Sequence, residues 1–431
     1  MTCLHDRHVR PVLFAGLDGD NWHLSGYAAR GGYAVLRDIL HQKRASADIV
    51  AEIAASGLRG RGGAAFPTAV KWGLLPAGES TQKYLVCNAD EGEPGTFKDK
   101  DILRHNPHAL IEGILIAAYT LGVRTAYVYV HGEIWEQYLR LKLAVQEARG
   151  AGWVGSESVS LIEIHVLHGF GAYVCGEETA LLASMEGKRG LPRFKPPYPV
   201  TRGLYSRPTI VNNVETLALI PFILAMGGEA YASLGRGRSK GTKIFSVSGD
   251  VNNPGNYEAP LGVPFPELLE QAGGMRDGNA LKAVIPGGFS SPILPAKTMM
   301  QLDMDYDALA GAGSALGSGG VIVLDETRCL FRAMQNLVGF FYEESCGQCT
   351  PCRQGLGWMY RIVNRLEAGD GAPEDMDALA VVASNIPGMT LCALGESAAL
   401  AVSAFLVHFR AELLSYLALK RTVFPGEVAH A

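Results

Sequence analysis

The chain lacks an apolar stretch long enough for a membrane helix. Residues 216–228 and 397–409 are uncharged for only 13 residues each, and a helical span needs about 20. Residues 308–324 are longer but rich in Gly, Ser and Ala, and read as a loop. A Gly-X-Y period is missing, which excludes a collagen-like fibre. An excess of one charge is missing too: 38 basic residues face 43 acidic ones, for a net charge of -5. That balance argues against a nucleic-acid surface spread over the whole protein. There is no Walker lysine pattern, no His-Glu-x-x-His and no Gly-x-Ser-x-Gly, so ATPase, zincin and serine-hydrolase chemistry have no support. No internal repeat is present. The opening residues, MTCLHDRHVR, are charged and lack the apolar stretch of a signal peptide. The expectation is a cytoplasmic chain, where structural disulfides are rare, and its 8 cysteines ask for another explanation.

What the chain has in excess is glycine: 52 residues, where average usage predicts about 30. With 48% hydrophobic residues among 431, packed cores are expected and disorder is not. At about 100–200 residues per domain, two to four domains follow.

The helical spacing of 48–56 runs into Gly57, suited to a helix C-cap, and Pro67 fits the first turn of a short helix. Strands are predicted at 84–87, 125–130 and 161–166, with helices at 107–121, 134–149 and 177–186 between and after them. Such alternation predicts a parallel sheet covered on both faces, with ligands at the strands' carboxyl ends. The loops after Cys87, Val130 and Val166 are therefore the places to look. Past residue 240 the strand KIFSVSGDV, the turn NNPGN, the helix PFPELLEQAGG and the strands KAVIPGGF and GGVIVLD predict a small α+β unit. Four helices follow, at 329–343, 355–367, 374–384 and 396–417, and predict a helical bundle.

Cys346-Gly-Gln-Cys349-Thr-Pro-Cys352, with Cys392 further on, carries the strongest chemical signal. Four thiolates hold either an iron–sulfur cube or tetrahedral zinc. Three close cysteines plus one distant one favour the cube over the two separated pairs usual for zinc; unliganded thiols are the bland alternative. Cys3, Cys87, Cys175 and Cys329 are scattered and read as buried apolar residues.

The string from Gly57 to Pro67 matches a dinucleotide fingerprint at Gly60, Gly62 and Ala65, but a helix precedes it instead of a strand. Backbone N–H groups at Gly60, Gly62 and Gly63, with Arg59, Arg61 and Lys71, could still hold a phosphate; a tight turn with a solvated basic edge is the alternative. Asn88, Asp90, Glu91 and Glu93 form an acidic loop at a strand end, where carboxylates can accept from ribose hydroxyls or a flavin N–H. Tyr173, Gly176, Glu177 and Glu178 lead into a helix start, where acidic residues are also expected for purely structural reasons. The loops holding Lys195 and Tyr198, and Val211, Asn212 and Asn213, have no mechanism of their own. His105, His108, His165 and His168 show no ligand spacing.

Taken in order, GLRGRGGAAFPTAVKW, NADEGEPGTFKD, AYVCGEETAL, KPPYP, VNNVETL and SCGQCTPCR make the chain resemble the NADH-binding flavoprotein subunit of respiratory complex I, the NADH:quinone oxidoreductase. The resemblance runs from about residue 25 to 415. It implies a modified Rossmann-type FMN and NADH domain over 1–240 with an N-terminal extension. A ubiquitin-like (β-grasp) α+β domain over 241–326 and a four-helix bundle with one 4Fe–4S cluster over 327–431 would follow. By motif, Gly60, Arg61, Gly62, Gly63, Lys71, Asn88, Asp90, Glu91, Tyr173, Gly176, Glu177, Val211, Asn212 and Asn213 would line the FMN. Phe66, Lys71, Glu93, Glu178, Lys195 and Tyr198 would meet NADH, with Glu93 and Lys71 at the reacting centre. Cys346, Cys349, Cys352 and Cys392 would ligate the cluster. The implied activity is hydride transfer from NADH to FMN, then single-electron transfer through the cluster to a small thioredoxin-like 2Fe–2S subunit and a large multi-cluster subunit. These would make the chain peripheral to the cytoplasmic side of the cell membrane. Diaphorase subunits of NAD-reducing hydrogenases and NAD-dependent formate dehydrogenases resemble it as well; the compass of this chain favours the complex I subunit. A non-catalytic iron–sulfur scaffold or redox sensor and a zinc-stabilised binding protein are the readings from other classes.

Overall fold

A computed structural model describes residues 11–76 and 82–419; Cys3 and the opening string lie outside them. The chain divides into two units. The first takes in the described residues up to Gly92, Thr96–Ser246 and Gly255–Val263, and the second Glu93–Gly95, Val247–Pro254 and the chain from Pro264.

At the centre of the first unit stand four parallel strands, β1 (Tyr84–Ala89), β2 (Thr125–Val130), β3 (Glu163–His168) and β4 (Thr209–Asn213), in the order β3-β2-β1-β4. In register, Cys87 pairs with Val128 on one side and Asn212 on the other. Two expectations shift here. The first strand continues to Ala89, so Asn88 lies inside it, and the third runs over Glu163–His168 because Leu161 takes a left-handed φ of 56° that ends the extended run. The order in which strands are added reverses between β1 and β4, while the strands stay parallel, and this is the switch point at which open α/β sheets bind ligands.

The helix Pro107–Leu121 shows why so apolar a segment is not a membrane span. Fourteen of its residues are buried, Pro107 opens it, and Gly122 closes it in the left-handed conformation. Two helices that periodicity did not announce, Leu24–Ala29 and Ala34–Gln42, place Tyr27, Leu36 and Ile39 in the same core. Their anchor is a buried carboxylate: Glu112, on the long helix, accepts from Tyr27 Oη at 2.5 Å and Tyr33 N at 2.8 Å.

In the second unit, Gly320–Asp325 pairs antiparallel with Leu281–Ile285, which pairs antiparallel with Leu294–Pro295. Residues 308–324 therefore contain a strand and the end of the helix Tyr306–Gly311, and are not one loop. Leu330–Glu344, Thr350–Ala368, Glu374–Ser384 and Ala393–His408 pack as a closed ring of four helices. The expected helix 396–417 is broken after His408, and its two parts meet at 80°. Among the described residues no single helix is long and apolar enough to cross a membrane.

Candidate functional site

The glycine-rich segment forms a closed loop. Gly60 N donates to Phe66 O at 2.8 Å, Thr68 N to Leu58 O at 2.9 Å, and Arg59 Nε to Ala65 O at 2.7 Å. A Cβ on Gly62 would stand 3.1 Å from Asn213 Cβ, so a side chain there would press on Asn213 at the end of β4. At Gly63 a φ of 115° requires glycine outright.

Around the ends of β1 and β4 the polar side chains fall into two groups. The first faces the loop and the helix start after β3. Lys71 Nζ donates to Val211 O at 2.7 Å and pairs with Glu178 at 3.3 Å. Lys195 Nζ bridges Glu177 at 2.8 Å and Glu178 at 3.5 Å. Glu177 caps the helix Glu178–Met185, accepting from Thr179 N and Ala180 N, as its place before a helix predicted. Asn88 Nδ2 reaches Gly176 O at 2.9 Å, and Trp72 Nε1 donates to Asn212 Oδ1 at 3.0 Å. Phe66 and Tyr198 stand 47% and 54% exposed, free to meet a planar ring. Tyr173 opens the 3₁₀ turn Tyr173–Gly176.

The second group turns inward. Arg61 is fully buried, with its N–H on Thr216 Oγ1 and its guanidinium on Thr242 O at 2.8 Å. Glu91 accepts from Asp99 N and Lys100 N at the start of the helix Lys98–His105; burial, then the Asp99 charge, pushes its carboxyl up to about 7. Asn213 accepts from Lys98 Nζ at 3.3 Å, donates to Asp99 Oδ2 at 2.6 Å and caps the helix Val214–Ala218. Beneath it Glu215 pairs with Lys98 at 3.0 Å and Lys243 at 3.4 Å, all three fully buried. Burial raises the Glu215 carboxyl, and Lys243, Lys98 and Arg61 outweigh it and hold it below its ordinary value. Burial drives Lys243 down to about 7.

Asp90 sits between these groups. Its Oδ1 lies 2.7 Å from His131 Nδ1, while its Oδ2 is buried with no hydrogen-bond partner among the described residues. Sequence reasoning missed His131, Lys98, Asp99 and Lys243. His131 directly follows β2, at a strand end where ligand binding is expected, but nothing in its neighbours marked it.

Glu93 belongs to the second unit. Ser290 donates to it twice, from N at 2.7 Å and from Oγ at 2.8 Å. Gly288, at φ 92°, makes room: a Cβ there would lie 2.6 Å from Glu93 Cγ. Ser290 was not visible as a partner, because some two hundred residues separate the two.

The cysteines gather where helices begin. Cys349 directly precedes Thr350–Ala368, Cys352 lies in its first turn, and Cys392 directly precedes Ala393–His408. The helix therefore starts five residues earlier than its apolar spacing indicated. Burial pushes the Cys352 thiol up to about 12, and Cys349, Cys392 and Cys346 add to the rise, so each of the three lies within electrostatic reach of Cys352. Gly395 leaves room beside them, since its Cβ would stand 3.2 Å from Cys352 Sγ. Cys87 and Cys175 are buried as expected, while Cys329 is half-buried.

Three family descriptions match the chain in order: the Nuo51 FMN-binding domain over residues 53–222, the SLBB domain over 244–301, and the NADH-ubiquinone oxidoreductase-F iron-sulfur binding region over 332–416. The last spans all four clustered cysteines and sets the zinc reading aside. The NADH-quinone oxidoreductase F 2 subunit of Rhizobium meliloti is 46% identical over 96% of this chain and 99% of its own length. The corresponding F subunit of Rickettsia bellii is 45% identical over 94% and 98%. Among solved structures, a chain of an NAD+-reducing [NiFe]-hydrogenase superposes with a TM-score of 0.81 at 36% identity, covering 89% of this chain and 65% of that one. The chain belongs to the family of NADH-quinone oxidoreductase F subunits.

Proposed function

We propose that this chain is the electron-input subunit of an NADH:quinone oxidoreductase, holding FMN in its first unit and a 4Fe–4S cluster in its helical ring. The observation that carries the flavin half is Asp90 Oδ2, a buried acceptor awaiting a donor at the end of the central strand. The thin wall at Gly62 and Gly63 fits the same group. For the cluster, Cys352 with Cys346, Cys349 and Cys392 in electrostatic reach of it supplies the four-thiolate donor set that an iron–sulfur cube requires.

Bound FMN would supply two-electron chemistry toward NADH and one-electron chemistry toward the cluster. The chain's own residues bind and orient. Gly60, Gly62, Gly63, Asn88, Asp90, Tyr173, Gly176 and Asn212 are assigned to the flavin nucleotide; Arg61, Glu91 and Asn213 act on it through backbone or by holding the loops. Lys71, fixed by Val211 O, would supply a positive charge to offset the negative charge of a reduced flavin. Phe66 and Tyr198 would flank the nicotinamide nucleotide, and Glu178 and Lys195 would bind its polar part; within the second unit Glu93 is held by Ser290. The three-part division at about residues 240 and 326 is the organisation this reading implies.

Near-complete coverage of both F subunits supports the quinone-linked complex, with a 2Fe–2S subunit and a multi-cluster subunit as partners on the cytoplasmic face of the membrane. The hydrogenase likeness favours a second reading, a diaphorase module; copurification with membrane-arm subunits or with a hydrogenase subunit separates the two. The test of the activity is direct. Purified chain is expected to carry about one FMN and to oxidise NADH with ferricyanide as acceptor; a chain that binds no flavin overturns the proposal.

A further inference from the structure

Asp90 is assigned to the flavin, but its own orientation depends on a neighbour. His131 donates its backbone N–H to Ala89 O at 3.0 Å, which ties the residue after β2 to the end of β1. Its ring then meets Asp90 Oδ1 through Nδ1 at 2.7 Å, with the two side chains 6% and 1% exposed. Asp90 accepts there, so Nδ1 carries the hydrogen whether the ring is neutral or charged. Gly92 packs against the pair, since a Cβ on it would lie 3.3 Å from both His131 Cε1 and Tyr173 Cδ2.

We propose that His131 is a positioning residue: by occupying Asp90 Oδ1 it presents Oδ2 to a hydroxyl or ring N–H of the bound flavin nucleotide, and its charge sets the net charge beside that cofactor. The inference rests on the reading that the chain binds FMN through Asp90. The charged groups facing His131 are Asp90 from the end of β1, Glu133 on its own loop with Oε2 3.8 Å from Nε2, and Lys100 from the helix Lys98–His105. Asp90 and Cys175 also lie within electrostatic reach of Tyr129. Burial pulls the His131 imidazole down, but the Asp90 hydrogen bond and charge outweigh it and leave the ring above its ordinary value. Burial likewise holds Asp90 above the usual carboxylate value, with His131 opposing.

The sign follows. With His131 protonated the pair is neutral; once pH passes its raised value the pair carries one negative charge, which disfavours reduced flavin. The bound flavin's midpoint potential is therefore expected to show an extra downward inflection above pH ~6.5, the ordinary histidine value. H131N keeps a donor and loses the charge: FMN affinity, read by fluorescence titration of deflavinated full-length chain, stays within about threefold of wild type, and the inflection disappears. H131F removes the donor, and the FMN dissociation constant rises about tenfold. If H131F binds FMN as wild type does and keeps the inflection, the inference is wrong. If wild type itself binds no FMN, the underlying reading fails first and takes the inference with it.

Discussion

In the first unit several motif residues have two occupations, whereas in the second the cluster cysteines offer thiols, with Cys352 Sγ 3.3 Å from Ser345 Oγ. Glu177 caps a helix and holds Lys195; Asn213 caps another and joins a buried ion network; Glu91 is committed to the start of Lys98–His105. Cys349 and Cys392 stand at helix starts without capping them through a side-chain bond. Polar side chains in a cofactor loop must satisfy the backbone the cofactor does not touch, because an unpaired buried group is costly. Thiols are poor hydrogen-bonding groups, so the protein has little other use for four of them in one place.

The largest expected effect lies on the cysteine side. Cys349→Ala should reduce the chain's iron from about four atoms to near none by metal analysis, while FMN content stays at wild-type level. Loss of both would show that the two regions are not separable. On the double-use side, Lys98→Met leaves Glu215 and Asp99 buried without their nearest cation, and should lower stability by about 3–5 kcal/mol in urea unfolding. A neutral outcome would mean that Lys243 alone carries the network.

Glu178→Gln probes whether the NADH-facing residues behave like the thiols or like Asn213. A carboxylate near the adenosine ribose would repel the 2′-phosphate of NADPH, but Lys71 and Lys195 flank it at 3.3 and 3.5 Å. The preference for NADH over NADPH should therefore fall by about tenfold, the low end for one charge pair, as read from the ratio of kcat/KM values. An unchanged ratio removes Glu178 from that role.

The smallest effect concerns stability against pH. His105 is buried with neither ring nitrogen hydrogen-bonded among the described residues, and burial, then Arg104 and Arg140, lowers it to about 4. A depressed folded value means that the unfolded chain binds the proton first. Its contribution is complete above the unfolded value near 6.5 and is lost as pH falls toward 4. His105→Leu should flatten the loss of stability between pH 6.5 and 4 in urea titrations, and an unchanged slope would assign the acid limb to other groups.

The same contrast explains what the sequence made legible. Three of the four parallel strands and the helix Pro107–Leu121 followed from apolar spacing, since β1 and that helix are buried almost throughout; the order of the strands and the strand Thr209–Asn213 did not. The cysteine spacing favoured an iron–sulfur centre over zinc, and the matched iron-sulfur binding region agrees. Arg61 could not be read correctly, because a basic residue between glycines looks like a phosphate ligand whether its guanidinium points out or, as here, inward to Thr242. His131 and Ser290 were invisible for a different reason: their partners are 41 and 197 residues away. Apolar spacing places the start of the helix around Cys352 too late, because Thr350, Pro351 and Arg353 break the apolar period without breaking the helix.

The central claim, that one chain joins a flavin to an iron–sulfur cluster, is tested most directly by anaerobic titration with NADH followed by dithionite, read optically and by EPR. The account predicts flavin bleaching by NADH and an iron–sulfur signal that appears with NADH or, for a low-potential cluster, with dithionite. Bleached flavin with no cluster signal even after dithionite would contradict it.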